Sequence, residues 1–138
     1  MKAEADLCRI AFRPERVWSL ALPAGGSGPR MNPEYVLVLT TLPADADSDA
    51  FARSLVEERL AACVNLLPLM DSVYRWEGRV EREIERQIVI KTARERIVAL
   101  WDRVRELHPY EVPEFVVLPI VDGNDAYLRW VGESTRLS

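Results

Sequence analysis

Residues 61–91 read AACVNLLPLMDSVYRWEGRVEREIERQIVIK. Ala61–Leu67 is a strand-forming run, Pro68 bends it, and it resumes over Met70–Trp76. Glu77-Gly78 supplies a tight turn, and Arg79–Lys91 runs back as the second arm of a long hairpin. Ahead of the hairpin, Tyr35–Thr41 (YVLVLTT) is a β-branched apolar run closed by Pro43. Asp45–Leu60 then carries Phe51, Leu55, Val56 and Leu60 near helical spacing, with Asp47 or Ser48 placed to cap the start. Behind the hairpin, Thr92-x-x-Glu95 reads as a capping box. Ile97, Leu100, Trp101, Val104 and Leu107 follow at helical spacing. Pro109 stops that helix and pushes His108 out of the helical region. Phe115–Val121 is a fourth strand, Asp122-Gly123 turns, Asn124 caps, and Ala126–Ser134 is a short last helix. The order βαββαβ plus a terminal helix predicts an α+β, ferredoxin-like sandwich: a four-stranded antiparallel sheet with helices on one face.

The strands carry a second message. A sheet with one wet face alternates apolar and polar residues. Here Val36–Leu39, Ile88–Ile90 and Phe115–Leu118 are apolar without interruption, so both faces of the central strands call for burial. The helices of one chain cover one face, which predicts that another copy of the chain covers the second.

Bulk properties narrow the function classes. The chain has 138 residues and a net charge of −4, which argues against a nucleic-acid partner held through phosphates. No apolar stretch approaches ~20 residues, so no membrane span is expected. Cys8 and Cys63 lie far apart with no CxxC spacing, which reads as free thiols in a reducing compartment. Lys2 and Lys91 are the only lysines beside sixteen arginines, so Lys91 is singular in the body of the chain. Residues 1–30 end in a Pro-Gly-Ser linker composition and read as a flexible or dispensable extension. Arg13, Glu15 and Arg16 interrupt any secretory core there. Residues 31–138 read as one domain.

Five segments together resemble the CutA family of divalent-cation tolerance proteins: Leu60–Asn65, Tyr74-x-Trp76-Glu77-Gly78, Ile90-Lys91-Thr92, His108–Glu114 (HPYEVPE), and Gly123-Asn124-x-x-Tyr127-Leu128-x-Trp130. The resemblance covers about Tyr35–Val131. It implies a ferredoxin-like fold, a tight PII-like homotrimer, and a cytoplasmic role in tolerance of copper and other divalent cations. It implies no reaction, and the protein is expected not to be an enzyme.

The family's copper-site proposal uses a first-strand cysteine and two adjacent histidines. This chain has no sulfur at Leu39–Thr41, and Leu107 precedes His108. Copper or another divalent metal is therefore a candidate ligand only through His108 and Glu111, with Glu114 or symmetry copies as helpers, and no cofactor is firmly implied. Tyr74, Trp76, Lys91 and Tyr110 are the expected lining of a ligand pocket between subunits. This alternative is a PII-like module binding a small anion through Lys91; a trimeric scaffold for a partner protein is another. Cys63 is expected to be a buried structural thiol. Glu81, Glu83 and Glu85 share one face of their strand; such a ladder could collect hard divalent cations weakly, but it is expected to be a solvated arm or to pair with arginines across a subunit boundary.

Overall fold

The computed structural model describes residues 34–137. Strand β1 (Tyr35–Pro43) is followed by helix α1 (Ser48–Glu57), β2 (Cys63–Trp76), β3 (Arg79–Ala93), a 3₁₀ turn at Arg94–Arg96, α2 (Ile97–Leu107), β4 (Val116–Pro119) and α3 (Asp125–Thr135). The sheet order is β2-β3-β1-β4, and every neighbouring pair is antiparallel. This is the expected ferredoxin-like βαββαβ arrangement with an added C-terminal helix.

Side-chain alternation divides the sheet into two faces. Val36, Val38 and Leu42 of β1 and Ile88 and Ile90 of β3 point to one side. They close on Phe51 and Leu55 of α1 and on Ile97, Leu100 and Val104 of α2 to form the core. The helices lie there because their own sequences bury those residues on single stripes. Asp47 starts α1 by accepting a hydrogen bond from the Ala50 N–H at 3.0 Å. Arg59 ends it in a left-handed conformation (φ 57°), so the Leu60 and Ala61 N–H groups both reach the Leu55 carbonyl.

Three expectations need correction. The Thr92–Glu95 capping box does not form: β3 runs on through Thr92 and Ala93, paired with Val36 and Tyr35. Thr92 is thereby drawn into the core, where its hydroxyl donates to the Leu60 carbonyl at 2.8 Å. Strand β4 is shorter than its apolar run, since β1 offers it partners only from Val36 to Leu39. The helices are also not all on one face. On the second face Gly132 of α3 comes so close to Tyr35 that an added Cβ would lie 3.2 Å from the ring, and Lys91 Nζ sits 5.7 Å from the Tyr127 ring centroid.

Helix α3 covers only the Tyr35–Lys91 end of that second face. Leu37, Leu39 and Val89 remain half-buried, and Val116 and Leu118 are exposed. The hairpin also outruns the sheet. Strand β1 pairs with β3 only from Glu85 to Ala93, so Arg79–Ile84 and their partners Asp71–Trp76 project as a two-stranded arm. A bulge, with Leu67 and Pro68 opposite Gln87, sets the arm's twist. The turn at its tip places Glu77 (φ 48°) and Gly78 (φ 78°) in left-handed conformations, as a two-residue hairpin turn requires.

Thr40 is fully buried on the core side, and its hydroxyl has no partner among the described residues. Thr40→Val keeps the shape and removes the stranded polar atom. It is expected to leave stability unchanged or raise it by up to about 1 kcal/mol in denaturant unfolding. A clear loss would show that the hydroxyl is satisfied.

Candidate functional site

The segment from His108 to Glu114 carries the chain from α2, on the core face, round the end of β1 to β4. His108 ends α2: its N–H still bonds the Val104 carbonyl, while its own backbone is extended (φ −81°, ψ 134°) because Pro109 follows. The imidazole is buried and uses both nitrogens. Nδ1 accepts the Tyr110 N–H at 3.0 Å, so Nε2 bears the proton and donates to the Thr41 carbonyl at 2.6 Å. The Tyr110 ring packs beside it with centroids 4.9 Å apart. Tyr110 then crosses to the second face, where its hydroxyl donates to Glu85 at 3.3 Å. Farther on, Glu114 accepts from Gln87 Nε2 at 2.9 Å, and the same nitrogen reaches the Thr40 carbonyl at 2.7 Å. The connector is therefore sewn to both central strands.

The carboxylate ladder of β3 differs from the solvated arm expected of it. Glu85 is buried, and Glu81 and Glu83 are half-buried. Burial raises the Tyr74 phenol to about 12, helped by its hydrogen bond to Glu83 and by the charges of Glu83, Glu85 and Glu81. Burial likewise pushes the Tyr110 phenol above its ordinary value, followed by the charges of Glu85 and Glu83. Both phenols thus stay protonated at neutral pH and serve as donors to carboxylates. Sequence alone ranked the glutamates as surface residues because a strand ladder shows which side chains share a face, not what covers that face.

The expected pocket residues fall in three places within one chain. Tyr74 and Tyr110 meet around Glu83 and Glu85. Trp76 shares the Tyr74 face of β2 but lies at the arm's tip, beside the turn. Lys91 is six residues from Glu85 on β3, about 20 Å along the strand, so it does not approach the connector. It pairs across the sheet with Leu37 and Cys63 and lies over Tyr127, whose ring is 5.5 Å from Trp130. Tyr127 was legible only as a motif residue, since its contact with Lys91 depends on which face α3 chooses. Cys63 is half-buried and free.

A tight copper or zinc centre does not fit these donors within one chain. No three His, Cys, Asp or Glu side chains among the described residues gather closely enough to hold an ion. His108 would have to give up the Tyr110 N–H bond to offer Nδ1, and Glu111 is exposed. Among the described residues no helix is long and apolar enough to cross a membrane.

Removing the imidazole strands the Thr41 carbonyl and the Tyr110 N–H. His108→Ala is expected to lower the unfolding free energy by about 2–4 kcal/mol, read from the shift in denaturant midpoint. An unshifted midpoint would show that the ring has no such structural role.

A family model described as CutA1 divalent ion tolerance protein matches residues 36–134. The divalent-cation tolerance protein CutA of Thermus thermophilus is 48% identical over 99 residues, which cover 72% of this chain and 96% of the relative. Human protein CutA is 44% identical over 115 residues, 83% of this chain but 64% of the human protein's length. The solved structure of the Thermus thermophilus protein superposes with a TM-score of 0.71 at 46% identity, covering 74% of this chain and 99% of that one. A structure described as PII-like protein CutA from Nostoc sp. PCC 7120 gives a TM-score of 0.69 at 39% identity, over 75% and 99% of the two chains.

Proposed function

The chain belongs to the CutA1 divalent ion tolerance family, and we propose that it works as a cytoplasmic homotrimer in the response to divalent metal ions, binding rather than catalysing. One observation carries the assembly: the hairpin arm and much of the second sheet face expose apolar residues that no other described residue covers. A two-stranded ribbon is marginal in water without something to pack against. A second copy supplies that cover, and the PII-like description of a structural relative supports it.

Within this reading His108 holds the fold together. Copper or another divalent ion is taken weakly, with Glu111 as the exposed carboxylate of the connector that begins at the imidazole. The cleft residues act together only between copies, because Lys91 is too far from Tyr74 and Tyr110 within one chain. Sedimentation at micromolar concentration is expected to show a single trimeric species; a folded monomer would overturn the assembly.

A second reading, a sensor of a small anion at the same clefts, is favoured by Lys91. It is the single lysine of the described residues and stands half-buried over Tyr127. Inorganic phosphate is expected to raise the melting temperature of the wild type and not of Lys91→Ala, measured by thermal unfolding. The same rise in both would remove Lys91 from any anion site.

A further inference from the structure

A cavity of about 510 Å³ opens where three ends of the fold meet: the start of β1, the 3₁₀ turn after β3 and the end of α3. That volume suits a small molecule. Its floor is held in place. Tyr35 pairs with Ala93 at the end of the β1–β3 ladder, and the Arg94 N–H donates to the Glu34 carbonyl at 2.8 Å. Val131 and Thr135 are fully buried and anchor the end of α3. Ala93 and Gly132 line the cavity beside Tyr35, and their small size leaves the space open.

The rim is charged. Glu34 comes from the entry to β1, Arg94 and Glu95 from the turn, and Arg136 from the residue that follows α3, and all four are exposed. Two guanidinium groups and two carboxylates thus surround one opening. A simple anion there meets the carboxylates as well as the arginines, and a simple cation meets the arginines as well as the carboxylates. A molecule carrying both charges is complementary to both sets. Guanidinium groups hold a carboxylate through paired, charge-assisted hydrogen bonds, and carboxylates accept from an ammonium group in the same way. Glu34, Tyr35 and Arg136 lie outside the residues 36–134 that match the family model, so family membership does not account for this cavity.

We propose that the cavity binds a small zwitterion, a free α-amino acid, whose carboxylate is taken by Arg94 and Arg136 and whose ammonium group is taken by Glu34 and Glu95. Neither Lys91 nor the His108–Glu114 connector is among the described residues that line it. The site therefore stands apart from the anion and metal readings above and does not depend on them.

The test is isothermal titration calorimetry of the full chain with glycine and the bulkier L-leucine, beside acetate and methylamine, which each carry only one of the two charges of glycine. At least one amino acid is expected to bind, and acetate and methylamine to bind about tenfold more weakly or worse. Arg136→Ala is expected to weaken binding of that amino acid by about tenfold or more. Arg129→Ala, which removes an exposed arginine of α3 that does not line the cavity, is expected to bind it as the wild type does. Circular dichroism checks that each variant is folded. Binding of neither amino acid overturns the proposal. So does binding of acetate or methylamine as tight as that of the amino acid, wild-type affinity in Arg136→Ala, or an equal loss in Arg129→Ala. Should Arg136→Ala fail to fold, Glu95→Gln is expected to weaken amino-acid binding without weakening that of acetate, and unchanged amino-acid binding would overturn the assignment.

Discussion

The pairing of β1 with β3, from Tyr35 opposite Ala93 to Pro43 opposite Glu85, fixes nearly every other feature of the molecule. It stacks Val36 and Val38 beside Ile88 and Ile90, and so decides which sheet face receives α1 and α2. Because side chains alternate with a period of two, a slip of β1 by one residue would send Val36 and Val38 to the face opposite Ile88 and Ile90 and put Leu37 and Leu39 in the core instead. The same register places Thr92 beneath Leu60, Glu85 at the end of β1, and Lys91 on the face that α3 partly covers. It also determines where β1 stops, and hence that Asp71–Trp76 and Arg79–Ile84 project beyond the four-stranded sheet.

The connector between α2 and β4 reads that register out. His108 holds the Thr41 carbonyl, Tyr110 holds Glu85, and Glu114 holds Gln87. These contacts bring a helix end, two central strands and the start of the edge strand to one place. A segment rich in imidazole, phenol and carboxylate groups is an obvious candidate for chemistry. Its geometry shows instead that those groups satisfy one another, and a histidine using both nitrogens inside the protein is a poor metal ligand. Beside the connector, Tyr74, Tyr110 and the β3 glutamates form a hydrogen-bonded cluster at the base of the arm.

A family described by tolerance of divalent ions, with a PII-like relative among its structures, suggests a protein that works by binding. Among the described residues, the second sheet face and the arm carry exposed apolar side chains: Val116 and Leu118 on the face, and Leu69, Val73, Val80 and Ile84 on the arm. The buried core beneath α1 and α2 is apolar apart from Thr40 and Thr92 and has mainly packing to contribute.

Element order, the amphipathic stripes of α1 and α2, the hairpin turn and the two-sided apolar strands were all legible in the sequence. Each is a local property with a period of 3.6 or 2 residues, and the family motifs are equally local. Helix caps at Asp47 and Asn124 were readable for the same reason, since a cap reaches only three residues. The capping box at Thr92 failed because a local signal met a longer-range one: pairing with β1 extended β3 by two residues and outweighed the cap. The tertiary structure alone decided that His108 bonds a strand 67 residues away, that Glu85 lies under Tyr110, that Lys91 meets Tyr127, and that α3 crosses to the second face. Those contacts depend on strand register and on the side from which a chain segment approaches the sheet, and neither quantity is written in the spacing of nearby residues.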